Sequence, residues 1–194
     1  MIYTSAYSSP LGSILLAADE IGLTGLWFEG QKYFANTLPE GRISKETEIL
    51  TVAKDWLDIY FSGKEPTFTP PLHSAGSEFR QAVWRILLEI PYGQTITYGE
   101  IARRMAEIKK VTHMSAQAVG GAIGHNVVSI IIPCHRVVGT NGSLTGYAGG
   151  IDKKISLLKL EHANISHLFV PQRELHLRQG TGTLCKRYYL DEPD

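Results

Sequence analysis

Cysteine is scarce in this chain: its 194 residues include only Cys134 and Cys185. Two thiols are too few for a disulfide framework, so a cytosolic, reducing location is expected. No apolar run approaches the roughly eighteen residues of a membrane helix, and no membrane partner is expected. The opening "MIYTSAYSSPLGS" lacks a basic stretch followed by an apolar core, which argues against a secretory signal. Net charge is missing too, since 19 Lys and Arg balance 19 Asp and Glu. Phosphate contacts usually give a basic domain, so this balance argues against a nucleic-acid partner. Repeats and low-complexity tracts are absent. What remains is an ordinary globular mixture, 43% hydrophobic and 20% charged. Its length suits one large domain or two small ones.

The chain opens on strand-like runs, "GSILLAAD" and "LTGLWFEG", joined by the short turn "EIG". A helix is expected from about Glu46 to Phe61, with Ile49, Val52, Ala53, Trp56 and Tyr60 on its apolar face and Gly63 at its C-terminal cap. "GKEPTFTPPLHSAG" has the composition of a linker, which places a boundary near residue 75. Beyond it, Ser77 can cap a helix carrying Phe79, Val83, Ile86, Leu87 and Ile90. "PYGQ" follows as a turn with Pro91 at its second position. Thr97 and Glu100 fit a capping box that opens a helix from Tyr98 to about Glu107. Ser115 can cap "SAQAVGGAIGHN". These two helices form a helix-turn-helix candidate, although the connector, about Ile108 to Met114, is long for one. Arg103, Arg104, Lys109 and Lys110 stand against one acid, Glu107, as a solvated helix face or a modest basic patch. Gly120, Gly121 and Gly124 each cost up to about 1 kcal/mol in a helix. That cost suggests another backbone comes close, as tight core packing or as ligand approach. A last helix is expected from Asp152 to His162, carrying Ile155, Leu158 and Glu161.

The chemistry concentrates in "IIIPCHRVV". Thiolate, not thiol, is the nucleophile, and a thiol of ordinary pKa near 8.5 is mostly protonated at neutral pH. His135 follows Cys134, but neighbours in an extended chain point to opposite faces. A water, or a turn set by Pro133, is needed to link them. A histidine base also needs an orienting group behind it, and spacing alone does not identify one.

Taken together, "FRQAVWRIL", "IPYGQTITYGEIA", "AVGGAIGHN", "IPCHRVV", "GYAGG" and "KKISLLKLEH" resemble the O6-alkylguanine-DNA alkyltransferase family, in that family's order, across residues 77–162. The resemblance implies an α+β fold. A small strand-rich N-terminal α/β domain, ribonuclease H-like (1–75), precedes a mostly helical domain with a winged-helix-like helix-turn-helix (76–165). Residues 166–194 form an extension outside the resemblance. Cys134 would attack the alkyl carbon on guanine O6 and keep it as a thioether, so the protein acts once. O4-alkylthymine is a second candidate substrate. His135 would be the water-linked base, Glu161 its orienting acid, and Asn126, before the strand, would hold the loop. Tyr98 would hydrogen-bond the leaving guanine, while Tyr147 walls the pocket. The expected partner is double-stranded DNA with an everted lesion, bound by an expected monomer. The second helix would lie in the minor groove, which is only about 6 Å wide and suits small residues. Ser115, Ala116, Ala118, Gly120 and Gly121 fit it. Arg136 and Thr140 complete the expected DNA-contacting set. No cofactor and no metal are expected, because the His and Cys left beside Cys134 are too few for a structural zinc site. On the residues alone, Tyr98 is equally a core aromatic, Asn126 a helix cap and Glu161 a solvated acid.

One departure stands out. Gln117 occupies the place where the family has an arginine that fills the gap left by the everted base. A neutral amide loses a charge-assisted bond there. Two other functions compete: a lesion-binding protein of the same fold that does not repair, and a cysteine hydrolase using Cys134, His135 and Glu161. Cys185, beside Lys186 and Arg187, is an incidental tail thiol, a second acceptor or a disulfide partner.

Overall fold

The computed structural model describes residues 1–171 and the backbone of the pair Tyr188–Tyr189; Cys185 and most of the extension lie outside it. A four-stranded sheet opens the chain in the order β3-β2-β1-β4, from β1 (Tyr3–Ser9), β2 (Gly12–Ala18), β3 (Leu23–Phe28) and β4 (Ile43–Ser44). Strand β1 was not legible in the sequence. Its alternating Tyr and Ser residues are mostly half-exposed, so no apolar run marks it.

Helix α1 (Glu48–Phe61) packs on this sheet, capped by Thr47. Its buried stripe is Leu50, Ala53, Trp56, Leu57 and Tyr60, so Ile49 and Val52 of the expected face sit at its margin. Gly63 does take the left-handed conformation just past the helix, at φ 81°.

Helix α2 (Glu78–Leu88) starts at Ser77, whose Oγ accepts from Arg80 N at 3.3 Å. Ile90 falls beyond its end. The turn that follows runs from Pro91 to Gln94, closed by Gln94 N to Pro91 O at 3.2 Å. Pro91 is therefore its first residue, not its second. Gly93 occupies the third position with φ 71°, which an L side chain rarely adopts.

β5 (Ile96–Thr97) leads into α3 (Tyr98–Lys109), where both halves of the Thr97–Glu100 capping box are formed. α3 extends past Glu107, so the connector to α4 (Ala116–Gly124) shortens to residues 110–115. Ser115 Oγ accepts from Gln117 N and Ala118 N. The basic stretch is half neutralised from outside: Lys109 pairs with Glu78 at 2.7 Å and Arg104 with Glu89 at 3.5 Å. α2 holds α4 through Trp84 Nε1, which donates to Ala122 O at 3.0 Å.

After α4 come turns, not the expected strand, up to a 3-10 turn at Cys134–Arg136. β6 (Val137–Val138) then pairs in parallel with β5. α5 (Ile151–Leu160) and β7 (Phe169–Val170) follow, with β7 antiparallel to β8 (Tyr188–Tyr189).

One continuous core runs through both segments, from Leu16, Leu26, Trp27 and Phe28 to Val119, Val128, Ile130 and Cys134. No helix among the described residues is long and apolar enough to cross a membrane.

Candidate active site

The site is built where α4, the loop after it and the end of α5 meet. Asn126 ties that loop shut. Its Nδ2 donates to Ile132 O at 2.8 Å and to Cys134 Sγ at 3.1 Å, while its Oδ1 accepts from Val128 N at 3.0 Å. Sheet strand β3 grips the same loop from outside, through Leu26 N to Val127 O (2.8 Å) and Ser129 N to Leu26 O (2.9 Å). Ile130 sits at φ 70°, an unfavourable conformation for a β-branched residue, held only because both flanks are fixed. Cys134 N then bonds Ile132 O at 2.8 Å and the chain bends at Pro133. The bend answers the geometric objection to the Cys-His pair: Cys134 and His135 lie on a turn, not an extended strand.

His135 is fully buried, with Nε2 2.6 Å from Glu161 Oε1. Glu161 caps the end of α5 and is only 2% exposed. It also accepts from Arg136 Nε (2.8 Å) and Nη2 (3.0 Å), from Tyr60 Oη (2.7 Å) and from Gly93 N (3.1 Å). Burial alone would push its carboxyl up. The His135 and Arg136 bonds and charges outweigh that and hold it well below the usual carboxylate range. An ionised Glu161 only accepts, so Nε2 of His135 carries the proton and Nδ1 is left as an acceptor. Nδ1 is buried and has no hydrogen-bond partner among the described residues. Burial pulls the imidazole down, against the pull of Glu161, so it is neutral near pH 7. Burial likewise pushes the Cys134 thiol up, opposed by the Asn126 hydrogen bond and the charge of Lys154.

Beside this chain of groups opens a cleft of about 440 Å³, lined by Gly120, Gly121 and Gly124 of α4, the Gly146–Ile151 loop, and Lys32 and Tyr33 from the first segment. Added Cβ atoms on Gly121 and Gly124 would meet nothing within 4 Å, and one on Gly120 only the Tyr98 ring at 3.8 Å. No backbone crowds these glycines, contrary to the core-packing expectation. Tyr147 joins cleft to dyad: it lines the cleft, and its ring stands edge-on to His135 at 6.4 Å. Its buried hydroxyl has no hydrogen-bond partner among the described residues. Tyr98 Oη donates to Thr145 O at 3.1 Å, at the cleft's edge.

The remaining expected residues divide. Ser115, Gln117, Ala118 and Gly121 are exposed on α4, and Thr140 is exposed on the loop after β6. Arg136, expected among the DNA contacts, is instead buried. Its guanidinium is bound to Glu161 and, through Nη1, to Ile90 O at 2.6 Å, and its side chain is only 10% exposed, turned away from any phosphate outside.

Two residues were missed. Lys154 is fully buried, with Nζ donating to Val137 O (2.6 Å) and Thr145 O (2.9 Å). Its signal was a lysine three and four residues ahead of Leu157 and Leu158, on the apolar stripe of α5. Tyr60 read as ordinary core, because nothing local shows that its hydroxyl meets a carboxylate 101 residues away.

A buried cysteine held by an amide, with a histidine–carboxylate–arginine chain beside a helix-turn-helix cleft, defines a nucleophilic-cysteine protein. Residues 2–73 match the 6-O-methylguanine DNA methyltransferase ribonuclease-like domain, and residues 78–163 match the DNA binding domain of the same family. The methylated-DNA–protein-cysteine methyltransferase of Methanosarcina acetivorans is 45% identical over 161 residues, 82% of this chain and 98% of that protein. The Haemophilus influenzae protein of that name is 40% identical, over 82% of this chain and 86% of its own length. The crystal structure of Mycobacterium tuberculosis OGT in complex with DNA superposes with a TM-score of 0.72 at 40% identity, covering 82% of this chain and 92% of that one. The chain belongs to the 6-O-methylguanine DNA methyltransferase family. Its zero net charge was a poor guide, because a DNA-binding face depends on local fields and contacts rather than on the sum.

Proposed function

We propose that the protein repairs DNA by direct reversal, transferring an alkyl group from guanine O6 to Cys134 in a single turnover. The thiol proton passes to His135 Nδ1, directly or through one water. Sγ bonds the alkyl carbon as the carbon–O6 bond breaks, and the electron pair leaves on the guanine. Tyr98, released from Thr145 O, donates to that leaving base, and general acid assistance of this kind is worth about 10²–10⁴-fold. The thioether has no easy leaving path back, so each molecule is used once.

The observation that carries this reading is the cluster of Cys134, Asn126 and the His135–Glu161 pair, which Tyr147 joins to a cleft lined partly by Gly120, Gly121 and Gly124. A planar base, not a bulky peptide, suits that slot. The exposed small residues Ser115, Ala118 and Gly121 support entry of α4 into the minor groove. Gln117, exposed in the first turn of α4, would fill the gap left by an everted nucleotide. The protein acts as a monomer on double-stranded DNA, with O6-alkylguanine as substrate and O4-alkylthymine as a weaker one. Arg136 serves Glu161 and not the DNA.

The test is intact mass after incubation with duplex DNA carrying O6-methylguanine, with Cys134→Ser as control. A single methyl gain, absent in the control, supports repair. Lesion binding with no mass gain would sink it in favour of a non-repairing binder. Repeated turnover of an ester would point to a hydrolase.

A further inference from the structure

Tyr60 is a side chain of the sheet segment that reaches both Glu161 and His135. It sits in the last turn of α1 and is fully buried. Trp56 stacks on its ring at 5.1 Å, and Phe61 and Tyr92 meet it edge-on at 5.5 and 6.1 Å. The ring thus has no freedom to swing. Its Oη donates to Glu161 Oε1 at 2.7 Å and lies 3.4 Å from His135 Nε2, so it shares the oxygen that receives the imidazole proton.

We propose that Tyr60 is a positioning residue for alkyl transfer: its hydroxyl fixes Glu161 Oε1 against His135 and moderates the pull of that oxygen on the imidazole, so that Nδ1 stays available to accept the thiol proton. This deepens, and rests on, the reading of Cys134 as the alkyl acceptor.

The argument is one of competing donors. Oε1 receives His135 Nε2, Tyr60 Oη and Arg136 Nη2, while Oε2 receives Arg136 Nε and Gly93 N. Every donor to a carboxylate lowers its basicity, and donors to a charged group are the strong ones. His135 is faced by Glu161, Arg136, Lys154, Tyr60 and Tyr147, and it adjoins Cys134. Glu161 is faced by His135, Arg136, Tyr60 and Tyr92. Around the imidazole, burial, Arg136 and Lys154 disfavour a positive charge; only Glu161 favours it. Removing the Tyr60 hydroxyl leaves Oε1 more basic and tips this balance toward imidazolium. A protonated His135 cannot take the thiol proton, so the acid limb of the rate profile moves to higher pH.

The test is Tyr60→Phe in the full chain, with the second-order rate for free O6-benzylguanine read by intact mass from pH 5.5 to 8.5. Circular dichroism confirms folding at the assay temperature. The expected result is an acid limb raised by about half a unit to one unit, with a rate deficit that grows toward pH 5.5, bounded by about 3–10-fold, and closes toward pH 8.5. Site-specific 3-fluorotyrosine at position 60 keeps the packing and strengthens the donor, and should move the limb the other way. A Tyr60→Phe profile parallel to the parent's, or an unmoved limb with fluorotyrosine, overturns the proposal. If the parent itself gains no mass, the repair reading fails separately. The His135 ring titration, followed by NMR in parent and Tyr60→Phe, then decides for Tyr60 if it rises and against it if it does not.

Discussion

Glu161→Gln isolates the group on which the site depends. In the native protein this carboxylate is 2% exposed and holds two buried partners, His135 at 2.6 Å and Arg136 at 2.8 Å. Glutamine keeps the shape but removes the charge and places an NH2 group among donors. Breaking a buried ion pair by altering one partner costs about 3–5 kcal/mol. Against a total stability of about 5–15 kcal/mol this is severe. At about 2–4 °C per kcal/mol for a chain of this size, the melting temperature should fall by about 6–20 °C. Alkyl transfer should fall by about 10²-fold or more, because the imidazole loses the charged acceptor that fixes its tautomer and stabilises its protonated form. Adding Arg136→Met should recover part of the stability, since the orphaned cation is then gone, but none of the rate. The pH dependence has a definite sign. The Glu161 carboxyl is depressed in the folded state, so its contribution is fully present above the unfolded carboxylate value of about 4.3 and is lost as pH falls below it. The gap between parent and variant should widen somewhat as pH falls through about 6.5, because Glu161 no longer offsets the burial of His135, and should narrow below about pH 4 as the parent carboxylate loses its contribution. Calorimetry across pH and single-turnover mass measurements read both arms. A Glu161→Gln protein that melts within about 2 °C of the parent, or a gap that keeps widening below about pH 4, would refute this reasoning.

Gln117→Arg should speed repair of alkylated duplex by about 3–30-fold, the gain of a charge-assisted over a neutral contact, and leave the rate on free O6-benzylguanine unchanged; equal effects on both substrates would disprove a role in eversion. Asn126→Ala removes three hydrogen bonds and leaves Val128 N–H buried without its acceptor. It should cost about 2–4 kcal/mol in urea unfolding and slow transfer most at low pH, since the thiol loses a donor that favours its ionised form. Gly93→Ala should cost about 2–5 kcal/mol: the residue has φ 71°, and a Cβ there would lie 2.7 Å from Glu161 O. A neutral outcome in thermal melts would mean that the Pro91–Gln94 turn relaxes freely.

Local chemistry was legible where the sequence itself contains both partners. Thr97 and Glu100 are three residues apart, so their capping box could be read directly, and Ser77 and Ser115 announced the helices they cap. Glu161 could be reached only through the family resemblance, because the α5 fold-back that brings it to His135 has no local signature. Arg136 was misplaced for a related reason. An arginine after a cysteine–histidine pair looks like a phosphate ligand until the 3-10 turn is seen to aim it inward. Lys154 and Tyr60 were missed because burial of a lysine, or a polar role for a core tyrosine, is decided by partners far along the chain. Charge counting failed similarly at Lys109 and Arg104, whose acids lie on α2 or just after it.

The linker near residue 75 divides the sequence more sharply than it divides the physics. Strand β3 hydrogen-bonds both ends of Val127–Ser129, Lys32 N holds Ala148 O at 3.0 Å across the cleft, and Tyr60 completes the shell of Glu161. Each contact crosses from the sheet segment into the helical one, the first two onto loops that flank the reactive groups and the third onto Glu161 itself. Such contacts couple stability to chemistry: a cavity opened under β3, at Leu26 or Phe28, loosens the Asn126 loop before it unfolds anything else. The first segment is therefore part of the reactive centre's scaffold. The tolerance of the site depends on packing around Leu26 and Tyr60 as much as on the identity of Cys134 and His135.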